Sequence, residues 1–268
     1  MSNRRRMIAK LGPSGTKIKD LPIGSKIKFS SGKTFILQAK NVEGHEPNSV
    51  TLCSEYIIED AFWNDNPSSD GRNTESYLYS DLHINIMPKY YNELSESEKK
   101  MIILRKFKVE TYNSNLNSGV KLDILFSTTV ESFFYIASLD EVRVKSNAHI
   151  DDYVARYPEL FYSGALGNYS YDYSSNGMRK KTRENGSSGE YFVTTTRSYS
   201  NGAGGGYNLY VNVIDRDGGL FAIEKQTWER FDGMRPLALF VSSGVVPFCD
   251  IKGDAPMIQD GEYWVFVG

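Results

Sequence analysis

Several residue types that can do chemistry occur in the chain, but their spacing forms no recognisable active site. The histidines, His45, His83 and His149, lie in unrelated contexts and lack the HxxxH or HExxH spacing that places two metal ligands on one helical face. No serine occupies a GxSxG turn, and neither Cys53 nor Cys249 lies beside a recognisable base. The sequence therefore predicts no catalytic residue, no metal site and no cofactor.

A tyrosine cluster provides the candidate ligand-binding residues, Tyr169, Tyr171 and Tyr173. It belongs to a Gly/Ser/Asn/Tyr-rich stretch from Tyr162 to Gly206, and so much irregular sequence in a compact protein is typical of a functional loop region. Tyrosine supplies rigid amphipathic contacts, and serine and asparagine supply adaptable hydrogen bonds. We expect this cluster either to bind a ligand or to pack against a neighbouring subunit.

The composition of the chain argues against nucleic acid and membrane partners. The formal net charge is −2 and charged residues make up 24% of the chain, so we expect no nucleic acid partner. Arg4–Arg6 are not followed by the apolar run of a signal peptide, and no stretch is long enough to span a bilayer. We therefore expect a chain made in the cytoplasm without membrane insertion. Cys53 and Cys249 are expected to be free thiols in the core.

The elements that would position any site begin after a basic arm, residues 1–18, which is rich in glycine, proline and serine. From Ile23 to Phe29 apolar and polar residues alternate, Ser31–Lys33 form a turn, and Thr34–Ala39 return. This pattern predicts a β-hairpin. A further strand is predicted at Ser49–Ser54, and the Asn/Asp/Ser-rich stretch Asn64–Asn73 is predicted to be a loop.

Helical signals follow this loop. Leu82 and Ile86 would share one face of a helix over Ser80–Met87, and Pro88 disfavours its continuation. Ser95-Glu96-Ser97-Glu98 is a capping box that predicts a second helix. Met101, Ile102 and Leu104 are then expected to face the core.

The rest of the chain reads mainly as strands. A helix start is predicted at Ser138–Val142 and a helix at His149–Tyr157, before Pro158. Tyr207–Ile214 and Leu220–Ile223 flank an Asp-Gly-Gly turn and predict a second hairpin. The other predicted strands are Arg105–Thr111, Phe133–Ala137, Glu190–Thr196, Leu237–Val241 and Tyr263–Val267, the last tied into a sheet or an interface.

Several of these segments together resemble a family of uncharacterised domains common in phages and prophages of Gram-positive bacteria. In pattern this family is related to formylglycine-generating-enzyme-like and C-type-lectin-like folds. The resemblance covers roughly residues 19 to 245. The segments that carry it are Lys19–Ile27, Asn48–Leu52, Tyr77–Ile86, Leu94–Ile102, Ser138–Val142 and Gly233–Leu239.

Arg235 and Pro236 lie in the last of these segments. Arginine offers five hydrogen-bond donors and proline fixes the backbone that follows, so this pair is predicted to hold the scaffold together by pinning loop carbonyls or a carboxylate. The cysteine pair of the enzyme-like relatives has no counterpart in Cys53 and Cys249. The resemblance therefore implies no catalytic activity.

The resemblance implies an α+β class, with a C-type-lectin-like mixed fold of antiparallel hairpins, two or three short helices and long loops. Residues 1–18 would be an arm and residues 19–268 one lectin-like domain. The implied function is a virion structural component near the tail, baseplate or fibre. Its implied partners are other virion proteins and a host surface glycan or protein, and it would form an oligomer. A free carbohydrate- or protein-binding module is the alternative.

Overall fold

The computed structural model describes residues 15–42, 44–63, 77–113, 123–138, 141, 181–201, 206–214, 216, 220–228 and 242–267. Four predicted elements lie outside these residues: the loop at Asn64–Asn73, most of the helix start at Ser138–Val142, the helix at His149–Tyr157 and the strand at Leu237–Val241. Residues 1–14 of the predicted arm also lie outside, whereas residues 15–18 are described and belong to the body of the protein.

The described residues form strands above all. In chain order these are β1 (Thr16–Lys17), β2 (Lys26–Lys28), β3 (Thr34–Lys40), β4 (Ser49–Ser54), β5 (Glu59–Phe62), β6 (Ile102–Ile103), β7 (Arg105–Asn113), β8 (Asp123–Ser132), β9 (Phe134–Tyr135), β10 (Lys181–Thr182), β11 (Ser188–Gly189), β12 (Tyr191–Asn201), β13 (Gly206–Ile214), β14 (Leu220–Trp228), β15 (Ser242–Val245), β16 (Phe248–Lys252), β17 (Pro256–Asp260) and β18 (Tyr263–Phe266).

The expected α+β class, and with it the C-type-lectin-like fold, is wrong because strands far outweigh helices in the described residues. Among strands of four or more residues, the sequence patterns missed β5, β8 and the run β15–β17. Ser242–Val245 lacks strict alternation because it is buried on both faces along most of its length, and such strands carry no period-2 signal. Pairing with β5 and β12 makes it a strand.

The first sheet contains nine of the described strands, in the order β1-β17-β18-β2-β3-β4-β16-β6, with β9 also paired to β16. The predicted hairpin of β2 and β3 is confirmed, with Ile27 opposite Phe35. The C-terminal strand β18 lies inside this sheet, antiparallel to β17 and parallel to β2. The expectation that it is tied into a sheet is therefore confirmed.

The second sheet contains seven of the described strands, and β12 organises it. The start of β12 runs parallel to β15, with Tyr191 opposite Gly244, and its later half runs parallel to β7. At Gly244 a Cβ atom would lie 2.5 Å from the Glu190 carbonyl oxygen, so only glycine allows this close approach. On its other side β12 pairs with β13, and β13 with β14, which confirms the second predicted hairpin.

The helical elements of the described residues are short segments between strands: 3-10 turns at Ile18–Asp20 and Tyr77–Tyr79, a π-helix at Leu82–Ile86, and the α-helices α1 (Met87–Asn92) and α2 (Glu96–Lys99). The capping box at Ser95 is confirmed, since Ser95 and Glu98 bond each other reciprocally. The expectation that Pro88 ends the helix is wrong. Pro88 lies in the first turn of α1, where no backbone donor is required.

Leu104 is also placed wrongly by the sequence pattern. Ile102 is buried and Met101 is half-buried against the core, as expected, but Leu104 is 48% exposed. The reason is that α2 ends at Lys99 and the chain enters β6, so a helical period no longer applies. Leu104 lies between β6 and β7, and the inward side chains of β7 are those of Arg105, Phe107 and Val109. Strand alternation therefore turns Leu104 outward.

One hydrophobic core joins the two sheets. Phe107 of β7 packs against Tyr135 of β9, with ring centroids 5.4 Å apart. Trp63, which follows β5, packs against Phe192 of β12 at 5.4 Å. Within the first sheet, Cys53 of β4 and Cys249 of the neighbouring β16 are buried free thiols, as expected.

Candidate functional site

A buried cluster of charged side chains lies where the two sheets meet. Asp250 comes from β16, Arg105 begins β7, His45 lies in the turn between β3 and β4, and Glu141 follows β9. Their side chains are between 1% and 7% exposed. Burial of four ionisable side chains is costly unless they pair and hydrogen-bond.

Asp250 is the centre of this cluster. One carboxylate oxygen accepts hydrogen bonds from the Thr51 hydroxyl at 2.7 Å and the Tyr135 hydroxyl at 3.1 Å. The other lies 2.9 Å from His45 Nδ1 and 4.0 Å from Arg105 Nε. Burial alone would raise the pKa of the Asp250 carboxyl. The hydrogen bond and charge of His45, the charge of Arg105 and the Thr51 bond outweigh it and lower that pKa.

Arg105 links the two carboxylates. Its Nη2 donates to Glu141 Oε1 at 2.5 Å, and its guanidinium lies 4.3 Å from the centroid of the Tyr135 ring and 5.1 Å from that of Phe107. Although burial disfavours the cation, the charges of Glu141 and Asp250 raise the pKa of Arg105. Among the described residues, Arg105 Nε and Nη1 have no hydrogen-bond partner.

Glu141 reaches the cluster from a helix-start motif. The Ser138 backbone N–H donates to Glu141 Oε2 at 2.8 Å, and the Glu141 N–H donates to the Ser138 hydroxyl at 3.3 Å. These are the two reciprocal bonds of a capping box. One carboxylate therefore both caps the backbone and neutralises the buried Arg105.

Chemically, the pair of His45 and Asp250 resembles a base held by a carboxylate, but its position does not suit catalysis. His45 Nδ1 faces Asp250, its Nε2 lies 3.9 Å from Glu141, and only 3% of its side chain is exposed. A general base must come within hydrogen-bond reach of a substrate proton. We interpret the cluster as a structural link, because Arg105 belongs to one sheet and Asp250 and Tyr135 to the other.

Sequence reasoning missed this cluster and selected other residues. Tyr169, Tyr171, Tyr173, Arg235 and Pro236 all lie outside the residues that the structure describes. The members of the cluster are far apart in the chain and share no local spacing. The one available signal was the pattern Ser-x-x-Glu at Ser138–Glu141.

Two other features, a metal site and a membrane-spanning helix, have no candidate in the described ranges. Among these residues, no group of three or more His, Cys, Asp or Glu side chains is placed to hold a metal ion. Within the same ranges, no helix has the length and apolar character needed to cross a membrane.

The outer strands of the second sheet form a candidate assembly surface. Beyond the core, the order is β14-β13-β12-β7-β8. Among the described strands, β8 pairs with β7 alone and β14 with β13 alone. On β8, Ser127 and Thr129 are exposed, and Glu131 pairs with Lys106 of β7 at 3.1 Å.

Comparisons with family models, with curated proteins and with solved structures found no match to this chain. The likeness to phage-encoded domains therefore depends on the segments quoted for it.

Proposed function

We propose that the protein is a non-catalytic structural component of a bacteriophage-type particle and that it joins neighbouring subunits through the edges of its second sheet. The observation that carries this proposal is the long outer strand β8, ten residues with a partner on one side among the described residues. The sequence resemblance to phage-encoded domains supports the same role.

The physical argument rests on the backbone of β8. A strand of this length spans about 33 Å, and on the side away from β7 it presents alternate N–H and C=O groups that pair with no other described strand. Natural proteins usually block such an edge with lysine, proline or a covering segment. The sequence of β8, DILFSTTVES, contains neither lysine nor proline, and its two charged residues, Asp123 and Glu131, lie near the ends of the strand.

An edge of this kind favours strand addition by another chain. Main-chain hydrogen bonds supply the affinity, and side chains on alternate positions supply the specificity. The partners in this proposal are other virion proteins or further copies of the chain, located in the particle near its tail, baseplate or fibre. The proposal requires no cofactor.

Particles purified from a producing strain test this role by quantitative mass spectrometry. Recovery of the chain at a fixed ratio to tail proteins is the expected result. If the chain is absent from intact particles, the proposal is wrong and a free binding module becomes the better interpretation.

Two proline variants test the edge itself. In consecutive residues of a strand the N–H groups point to opposite sides, so of Thr128→Pro and Thr129→Pro one loses a bond to β7 and the other loses an outward donor. The variant that loses a bond to β7 should have a lower melting temperature than the unaltered chain. The variant that loses only an outward donor should have a melting temperature close to that of the unaltered chain. Its amount in purified particles should nevertheless be severalfold lower.

The outward-facing variant decides the outcome. Equal incorporation of this folded variant and the unaltered chain would refute assembly through β8. Gln259→Pro is not a suitable control because β17 has partners on both sides. Gln259→Ala, an exposed change on the other sheet, should leave incorporation unchanged.

A further inference from the structure

An open polar groove lies where the first sheet meets β5 of the second sheet. It is bounded by the turn between β2 and β3, by Tyr56–Asp60 and by the turn between β10 and β11, with Lys89 of α1 and Tyr263 of β18 completing it. Its volume is about 1100 Å³. That is at the upper end of the range for small-molecule clefts. We refer to it as the hairpin groove.

One wall of the hairpin groove is fixed by a carboxylate, Glu59. Lys89 Nζ contacts both Glu59 oxygens, at 3.0 and 3.1 Å, and the Tyr90 hydroxyl donates to Glu59 Oε1 at 2.7 Å. Tyr90 is 2% exposed, so the bond anchors Glu59 to the core. Lys33 pairs with Glu93 and lies over the Tyr90 ring, 5.4 Å from its centroid. These contacts hold the polar groups in place before any ligand binds.

The opposite wall is fixed by Arg183. Its Nη2 donates to Asp60 Oδ1 at 2.6 Å, and its Nη1 donates to the Ser188 carbonyl at 3.4 Å. Asp60 is on β5, whereas Arg183 is in the β10–β11 turn. The ion pair therefore closes the groove across two elements. Its exposed donors and acceptors remain available to a ligand, because a guanidinium has five donors and a carboxylate accepts several bonds.

Two half-exposed aromatic rings line the same groove. Tyr56 lies just before β5, and Tyr263 begins β18. Lys28 Nζ lies 5.5 Å from the centroid of the Tyr263 ring, which orients the ring. Tyrosine combines an apolar face for stacking with a hydroxyl for hydrogen bonding.

The charges that line the groove narrow the class of ligand. The lining combines four cations, Lys28, Lys33, Lys89 and Arg183, with three carboxylates, Glu59, Asp60 and Glu184. An anionic polymer would meet the carboxylates, and an apolar ligand would find aliphatic contact with two lining residues, Ile57 and Ile58. A neutral molecule rich in hydroxyl groups meets neither obstacle, because each hydroxyl can donate to a carboxylate and accept from a cation.

We propose that the hairpin groove is a binding site for a neutral oligosaccharide. Sugar rings stack on Tyr56 and Tyr263, and their hydroxyl groups bond to the fixed pairs of Glu59 with Lys89 and of Asp60 with Arg183. This proposal does not depend on the particle role, since it concerns binding by the free chain.

Titration of the full chain with defined oligosaccharides, followed by saturation-transfer NMR and calorimetry, tests the site. The probes are the neutral tetramers of N-acetylglucosamine, glucose, mannose and galactose, with hexameric glycerol phosphate as the anionic probe and laurate as the apolar probe. At least one neutral tetramer should bind. Tyr56→Ala and Tyr263→Ala should each weaken that binding by about tenfold.

Control variants separate binding from folding. Tyr263→Phe keeps the ring and should retain most of the affinity. Tyr79→Ala removes another exposed tyrosine, 43% accessible and outside the groove, and should leave the affinity unchanged. The proposal is overturned if no neutral tetramer binds at millimolar concentration, or if only the anionic or the apolar probe binds. It is also overturned if Tyr56→Ala and Tyr263→Ala both fold and bind the tetramer with the affinity of the unaltered chain.

Discussion

Replacing Asp250 with asparagine removes the charge at the centre of the buried cluster while nearly preserving its shape. The carboxylate is 1% exposed and accepts bonds from Thr51 at 2.7 Å and Tyr135 at 3.1 Å, with His45 Nδ1 at 2.9 Å. In Asp250→Asn the amide NH₂ group faces one of these donors. Arg105, whose Nε lies 4.0 Å from the carboxylate, loses one of its two buried counter-charges.

The magnitude follows from the burial of these groups. Breaking one partner of a buried ionic network costs about 3–5 kcal/mol because the remaining charge is left uncompensated. For a chain of this size, each kcal/mol lowers the melting temperature by about 2–4 °C. We therefore expect the melting temperature of Asp250→Asn to be about 6–20 °C lower. The loss of about 3–5 kcal/mol is a large part of the free energy of unfolding of an ordinary domain.

Urea unfolding at pH 7, followed by fluorescence and circular dichroism, measures the loss, with Asp260→Asn as the matched control. Asp260 is exposed at the end of β17, so its substitution should change the free energy of unfolding by less than about 0.5 kcal/mol. If Asp250→Asn lowers the free energy of unfolding by less than about 1 kcal/mol, its effect is close to that of a surface substitution. That result would refute the view that the cluster joins the two sheets electrostatically.

The pH dependence of the same comparison gives an independent check. The pKa of Asp250 is lowered in the folded protein, since the hydrogen bond from His45 and the charge of Arg105 outweigh the opposing effect of burial. The unfolded carboxyl titrates near pH 3.9, as a general value. The stabilisation by Asp250 is thus fully present above that pH and lost as pH falls through the lower folded pKa. The difference in the free energy of unfolding between the unaltered chain and Asp250→Asn should be constant above about pH 5 and shrink below about pH 4.

Two further outcomes are expected. Glu98→Gln should lower the free energy of unfolding in urea by about 1–3 kcal/mol, because the buried carboxylate accepts a hydrogen bond from the Ser30 backbone N–H at 2.7 Å and completes the capping box. The control, Glu96→Gln at an exposed position, should be near neutral. Equal effects of the two substitutions would contradict this argument. Cys53 and Cys249 should not react with a thiol reagent in the native state, because burial raises the pKa of both thiols, and both should react in urea; rapid native labelling of either would show that it is accessible.

Local patterns predicted several elements correctly because the cause of each lies within a few residues. The hairpin of β2 and β3 follows from alternation on either side of the turn at Ser31–Lys33, and the residues that alternate inward, such as Ile27 and Phe35, pair in the sheet. The start of α2 follows from Ser95 and Glu98, which bond within one turn.

Other local rules failed where the neighbouring structure changed the rule that applied. Pro88 is tolerated because the π-helix before it and its place in the first turn of α1 remove the need for its backbone donor. Leu104 is exposed because it directly precedes β7, whose inward side chains are those of Arg105, Phe107 and Val109, so strand alternation turns Leu104 outward. The α+β expectation failed for a similar reason, since β15 and β16 are buried strands without strict alternation.

What the sequence by itself determined is therefore local: turns, hairpins, caps, and the presence of a large core with two free thiols. Only the tertiary structure decided that Asp250, Arg105, His45 and Glu141 meet in one buried cluster, and that the hairpin groove forms between elements distant in the chain. The physical reason is that hydrogen bonds within a turn depend on neighbouring residues. Pairing between sheets depends on register and packing, which no short stretch of sequence contains.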